Sequence, residues 1–218
     1  MTQVRSVLRA SVARKAIMAV TGFALFGFVI LHLLGNLQVY EGPEKLNEYA
    51  KMLRRVPELL WGARVTLLAA VALHIWAATS LTRMSLAARP QGYEVTRHLE
   101  STYASRTMRW SGVTIALFIV YHLLHFTFGS VHPDFREGDV YHNVVAGFQL
   151  WPVSLFYVLA MIALGFHLYH GAWSMLQTLG LSHPRYNKVR NGLAGLLAIL
   201  VVVGNISIPV AVLAGFVR

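Results

Sequence analysis

The chain has 218 residues, 56% of them apolar and 13% charged, with a formal net charge of +10 and no cysteine. So large an apolar share argues against a soluble domain. The absence of thiols excludes c-type haem attachment, thiolate-held iron–sulfur clusters and disulfides within this chain, so any iron–sulfur relay belongs to a partner.

The basic excess reads as membrane topology rather than nucleic-acid binding. Uncharged runs occupy 16–40, 65–82, 110–133, 140–184 and 191–217, and all nine acidic residues fall outside them. A helix rises 1.5 Å per residue and the hydrocarbon core of a bilayer is ~30 Å thick, so the longer runs span it outright and the 65–82 run does so with the residues from Leu59. The expectation is a single all-α integral membrane domain over 1–218, with transmembrane helices at about 16–40, 59–82, 110–129, 152–179 and 191–217. Lys and Arg divide twelve to seven between alternate sides. The N-terminus and the 83–109 and 185–190 connections take the larger share, which predicts a cytoplasmic N-terminus and an outer C-terminus.

In chain order, residues 1–15 read as a basic amphipathic lead-in (Arg5, Arg9, Arg14, Lys15) and not as a cleavable signal peptide. Span I follows, with Ala19, Gly22 and Gly27 small enough to admit a flat group or a neighbouring helix. Within 41–58 the apolar residues Leu46, Tyr49, Ala50 and Leu53 have helical spacing, so a short surface helix ending before Pro57 is expected. Span II tolerates Arg64 near its outer end by snorkelling. The 83–109 connection, broken at Pro90-Gln91-Gly92, is a plausible docking surface for a soluble partner. After span III, residues 130–147 read as a polar outer loop carrying His132 and His142. Trp151-Pro152 suits the first turn of span IV, which Gly180 and Pro184 end. Span V contains no histidine, and Pro209 should bend it. It reads as an additional packing helix outside the redox core.

Each of the first four spans carries a histidine near its middle, where an ionisable side chain is costly to bury and marks function. The phrase Phe28-Val-Ile-Leu-His32-Leu-Leu returns ninety residues later as Phe118-Ile-Val-Tyr-His122-Leu-Leu. The other two spans hold Leu73-His74-Ile-Trp76 and Phe166-His167-Leu-Tyr169. Counting 1.5 Å per residue from each entry point puts His32 ~24 Å and His122 ~18 Å from the inner face, and His74 and His167 ~22 Å from the outer face. His32 therefore shares the outer half with His122, and His74 the inner half with His167. Neutral imidazole offers a lone pair to iron without burying a net charge. Four such ligands suffice for two stacked bis-His haems b, an outer iron on His32 and His122 and an inner iron on His74 and His167. Gly35, Ala77, Ala78 and Gly171 are small neighbours suited to a flat macrocycle. His125 and His170, three residues beyond His122 and His167, compete for the ligand role; the phrase echo makes them neighbours or hydrogen-bond partners instead. His98 and His183 read as surface residues of the inner loops.

Met18-Ala-Val-Thr-Gly22 and His32-Leu-Leu-Gly-Asn36 carry a family resemblance, as do the His74 phrase, Tyr121-His122, and Phe166-His167 with Gly171-Ala-Trp-Ser174 and Leu179-Gly-Leu181. The chain resembles the five-helix, single-polypeptide, di-haem cytochrome b membrane anchor of succinate:quinone oxidoreductases (succinate dehydrogenase and fumarate reductase). The resemblance implies haem ligation by His32, His74, His122 and His167, and a flavoprotein and an iron–sulfur subunit docked on the cytoplasmic face. It further implies that the dicarboxylate site lies on a partner, that menaquinone or ubiquinone reacts in the membrane subunit, and that the complex sits in a bacterial-type cytoplasmic membrane. An acid within helix II, found in some members, has no counterpart here; Glu58 precedes span II instead. The alternative readings are a di-haem cytochrome b of a formate dehydrogenase or hydrogenase, and a transporter using a histidine relay.

Overall fold

The computed structural model describes residues 10–89, 91 and 101–218. The described residues contain seven α-helices: α1 (Ser11–Asn36, prolonged by a tight turn over Leu37–Glu41), α2 (Pro43–Arg54), α3 (Pro57–Ala87), α4 (Tyr103–His122, prolonged by a wide π turn over Leu123–Thr127), α5 (Val140–Gln149), α6 (Trp151–Thr178) and α7 (Asn187–Leu213). Five of them, α1, α3, α4, α6 and α7, are long and apolar enough to cross a membrane. The chain is an all-α, multi-pass membrane protein.

Each boundary has a local cause. Prolines open α2 and α3 and lie in the first turn of α6, where a missing N–H costs nothing. The Thr102 hydroxyl caps α4 by accepting from the Ser105 N–H at 3.2 Å, and Asp139 caps α5 through the His142 N–H at 3.1 Å. Gly180 (φ +78°) ends α6, with the Leu181 N–H reaching the Leu176 carbonyl at 2.9 Å and the Gly180 N–H reaching Gln177 at 3.2 Å. Gly215 (φ +76°) ends α7 in the same way. Such stops need a left-handed residue, which is why glycine occupies both.

The expected spans are present, with displaced ends. α4 begins at Tyr103 rather than near 110, and α3 runs on to Ala87, because helices continue through Arg83, Arg106 and Arg109 beyond the apolar core. α7 occupies Asn187–Leu213 rather than 191–217 and passes through Pro209 as one helix. The lead-in over 1–9, His98, and Pro90 and Gly92 lie outside the described residues.

α1 packs on α3 and α6, α4 packs on α6, and α7 packs on α6 and α1, so the fifth span lies against the four-helix group from one side. Small residues set how closely α7 approaches α6 and α1: a Cβ on Gly165 would stand 2.5 Å from Val202 Cγ2 of α7, and one on Gly204 2.9 Å from Leu33 Cδ2 of α1. At one end of the bundle, α2 and α5 clasp through Asn47. Its amide donates to Asp139 Oδ1 at 2.9 Å, and its Oδ1 accepts from the Tyr141 N–H at 3.0 Å. The Asn47 bond is the main reason the Asp139 carboxyl is held below its ordinary range, with the His142 N–H assisting.

Half of the expected polar outer loop is α5, whose Asn143, Val145, Gly147 and Phe148 are buried. Val145 and Phe148 join Val39, Leu46, Tyr157, Ile208 and Val212 in an apolar cluster that closes this end. Charges at 134–139 concealed a helix that starts immediately after them.

Since Val202 is β-branched and stiff at χ1, Gly165→Ala should separate α6 from α7 and cost on the order of 1–3 kcal/mol as overpacking. Gly27→Ala, where nothing lies within 4 Å of the new Cβ, should be neutral. Thermal unfolding in detergent checks both; equal midpoints for the two variants would contradict the packing described.

Candidate functional site: two interhelical histidine pairs

The four mid-span histidines form two pairs. His32 on α1 and His122 on α4 have ring centres 5.8 Å apart, and His74 on α3 and His167 on α6 have theirs 6.3 Å apart. Phe28 stacks on His32 at 5.3 Å, and Phe118 lies 5.6 Å from His122, so the repeated phrase is a repeated contact.

Hydroxyl groups orient the second pair. Thr21 Oγ1 donates to the Ile17 carbonyl at 2.7 Å and faces His74 Nδ1 at 3.1 Å. Ser111 Oγ donates to the Met108 carbonyl at 3.0 Å and faces His167 Nδ1 at 3.3 Å. With each hydroxyl hydrogen given to its own helix, the oxygen accepts, and the imidazole carries its proton on Nδ1. The Nε2 lone pair is left over on both rings. A glycine follows each hydroxyl: a Cβ on Gly22 would lie 3.3 Å from His74 Cε1, and one on Gly112 3.7 Å from His167 Cε1. Thr21-Gly22 and Ser111-Gly112 are separated by the same ninety residues as His32 and His122.

The first pair is held differently. Tyr157, on α6 and only 6% exposed, places its hydroxyl 3.3 Å from His122 Nδ1 and 3.0 Å from His125 Nδ1. A phenol has one proton, so it donates to one ring and accepts from the other. Giving His122 the same Nδ1–H tautomer as His74 and His167 makes Tyr157 donate to His125 Nδ1. His125 then carries its proton on Nε2, an atom buried without a partner among the described residues.

His125 is fully buried (0% exposed) in the wide turn after α4. Its ring stacks on His132 at 4.8 Å, and a Cβ on Gly147 would stand 2.9 Å from it. His132 is also not a surface residue: its Nε2 donates to the Asn143 carbonyl at 2.8 Å, while its Nδ1 accepts from the Asp134 N–H at 3.1 Å. His142 reaches Asp134 Oδ2 at 2.8 Å, the main reason the Asp134 carboxyl is held below its ordinary range. His170 sits 5.8 Å from Trp173. His183 is exposed, and its Nδ1 accepts from the Arg185 N–H at 3.2 Å.

Of the small neighbours expected to admit a macrocycle, Gly35 serves another purpose: a Cβ there would collide with Tyr49 of α2 at 2.7 Å. Gly171 has only Met108 Cε nearby, at 3.9 Å, and Ala77 is fully buried. Thr21, Ser111 and Tyr157 were not singled out by the sequence reading as partners of the histidines. The ninety-residue offset that exposed His32 and His122 also exposes Thr21 and Ser111.

The fold and site define a helical membrane protein with two interhelical pairs of imidazoles in its bundle, His32 exposed and His74, His122 and His167 half-buried. The family model of the succinate dehydrogenase/fumarate reductase transmembrane subunit matches residues 89–206, just over half of the chain, and the chain belongs to that family. The match contains His122 and His167; His32 and His74 precede it. No curated protein and no solved structure matches the chain.

Removing the Tyr157 hydroxyl leaves two imidazole nitrogens unpaired in a dry interior. Tyr157→Phe should therefore lower unfolding stability by roughly 1–3 kcal/mol, read from thermal or denaturant unfolding in detergent. An unchanged midpoint would mean that the hydroxyl does not carry the His122–His125 arrangement.

Proposed function

We propose that this chain is the membrane anchor and cytochrome b subunit of a succinate:quinone oxidoreductase, holding two haems b through His32 with His122 and His74 with His167. The observation that carries the reading is the ring separation in the two pairs. Imidazole–metal bonds of ~2 Å on either side of one ion put the ring centres about 6 Å apart, against 5.8 and 6.3 Å here. Three of the four rings also have Nδ1 held by a hydroxyl on another helix, the outer-shell contact that fixes tautomer and orientation in metal-binding histidines. His125 shares the Tyr157 hydroxyl with His122, but its ring packs on His132 rather than on a histidine of a facing spanning helix.

When bound, the haems supply one-electron carriage across the bilayer, between an iron–sulfur partner on one face and a membrane quinone (menaquinone or ubiquinone). The polypeptide's own contribution is positional. α1 and α4 bring one imidazole pair toward the α2–α5 end, and α3 and α6 bring the other toward the opposite end. The hydroxyls of Thr21, Ser111 and Tyr157 accept the Nδ1 protons, leaving Nε2 basic and aimed. The helices that carry both pairs are apolar along their spans. A flavoprotein and an iron–sulfur subunit on the more basic, cytoplasmic face complete the complex, with the dicarboxylate chemistry on the flavoprotein. The loop charges support a cytoplasmic N-terminus and a bacterial-type cytoplasmic membrane.

The family match favours this reading over a formate dehydrogenase or hydrogenase cytochrome b. A histidine-relay transporter is disfavoured by the position of the acids: the only carboxylates in the spanning helices, Glu41 and Glu58, lie at their ends.

A pyridine haemochrome assay against protein concentration should give two haems b per chain. His125→Ala and His170→Ala should retain both, with their low-spin electron paramagnetic resonance signals intact. One haem per chain, or loss of a low-spin signal in either variant, would reverse the four-ligand assignment.

A further inference from the structure

At the end of the bundle opposite α2 and α5, a cavity of about 410 Å³ opens along the seam of α1, α6 and α7. Phe23, Phe26, Leu193 and Leu197 form much of its apolar wall, and Arg190, four residues into α7, lies at its polar end. Arg190 is only 8% exposed, and its Nε and Nη1 are buried with no hydrogen-bond acceptor among the described residues. The guanidinium lies 5.4 Å from the ring of Trp173, whose Nε1 is also buried and unpaired.

A guanidinium does not shed its proton in a protein, so burial leaves a permanent charge to be matched. The ring face of Trp173 gives only partial compensation. No Asp or Glu follows Asp139 in the chain, while Arg185 and Lys188 add positive charge beside the site. The adjoining end of α7 carries the positive end of the helix dipole. Asn187 and Asn191 have buried, unpaired Oδ1 atoms, and turning either amide would present its NH₂ group instead. Everything polar here is suited to an anion, and everything around it is apolar.

We propose that this seam binds an anionic phospholipid, its phosphate on Arg190, its acyl chains along Phe23, Phe26, Leu193 and Leu197. A free phosphate accounts for the cation but not for the apolar wall. A haem carboxylate accounts for the cation but not for the acyl-chain wall, and the haem spectrum of the Arg190 variant separates the two. Basic pockets between membrane helices are recurrent sites for lipid headgroups. The assignment is independent of how many haems the chain holds.

The test uses the intact complex, reconstituted into phosphatidylcholine vesicles carrying a minor fraction of phosphatidylglycerol and then re-extracted in mild detergent. Mass spectrometry of the retained lipid should show phosphatidylglycerol enriched over its share in the vesicle. Arg190→Gln should cut that retention by about tenfold or more, the size expected when a charge-assisted hydrogen bond is lost. Arg185→Gln, at an exposed neighbour, should leave it unchanged. Arg190→Lys keeps the charge and should keep part of the enrichment, which guards against a glutamine variant that fails to assemble. Inorganic phosphate added to the wild-type complex should not displace the lipid. The proposal is overturned by equal retention in Arg190→Gln or by displacement with phosphate alone. It is also overturned if Arg190→Gln alters the haem spectrum or potential while lipid retention stays unchanged.

Discussion

A neutral imidazole in a bilayer has one N–H to satisfy and one lone pair to spend, and which nitrogen does which is decided by its neighbours. In this chain the decision is made by hydroxyls that have already spent their own hydrogens. Thr21 and Ser111 donate to carbonyls one turn back in their helices, so they can only accept from His74 and His167. That commitment frees Nε2 on both rings. The rest of the bundle serves to bring such rings into pairs, with glycines beside the hydroxyls so that the helices carrying them approach closely.

The two pairs are not built alike. The α3–α6 pair is fixed by short hydroxyls within the spans, flanked by Gly22 and Gly112. The α1–α4 pair is fixed by aromatic rings: Phe28 and Phe118 against the imidazoles, and Tyr157 between His122 and His125. Around the latter pair the interior turns polar, through His125 and His132 to Asp134 and His142 at the surface. The π turn after α4 makes this possible, since it ends the helix and seats His125 against α5 and Tyr157 rather than against His32.

Much of the fold was legible because spanning helices announce themselves by uncharged length, and the Pro57, Pro152 and Gly180 boundaries by backbone chemistry. Helix ends were misplaced where Arg83, Arg106 and Arg109 interrupted an apolar run without interrupting a helix. α5 was missed because its apolar face serves a small extramembrane cluster, and the charges just before it suggested a loop. The histidines were legible through their ninety-residue echo and through depth. What the echo did not supply was the partners: Tyr157 and His132 reach His125 from other elements, and no periodicity along one helix reports a contact between helices. Gly35 shows the opposite limit, since a small residue near a candidate ligand proved to accommodate Tyr49.

The central claim is that the four histidines work as two pairs, each across two helices. Redox titration of the haem absorption in single alanine variants tests it most directly. His32→Ala and His122→Ala should abolish one and the same component, and His74→Ala and His167→Ala should both abolish the other. Loss of different components by His32→Ala and His122→Ala, or by His74→Ala and His167→Ala, would contradict the pairing.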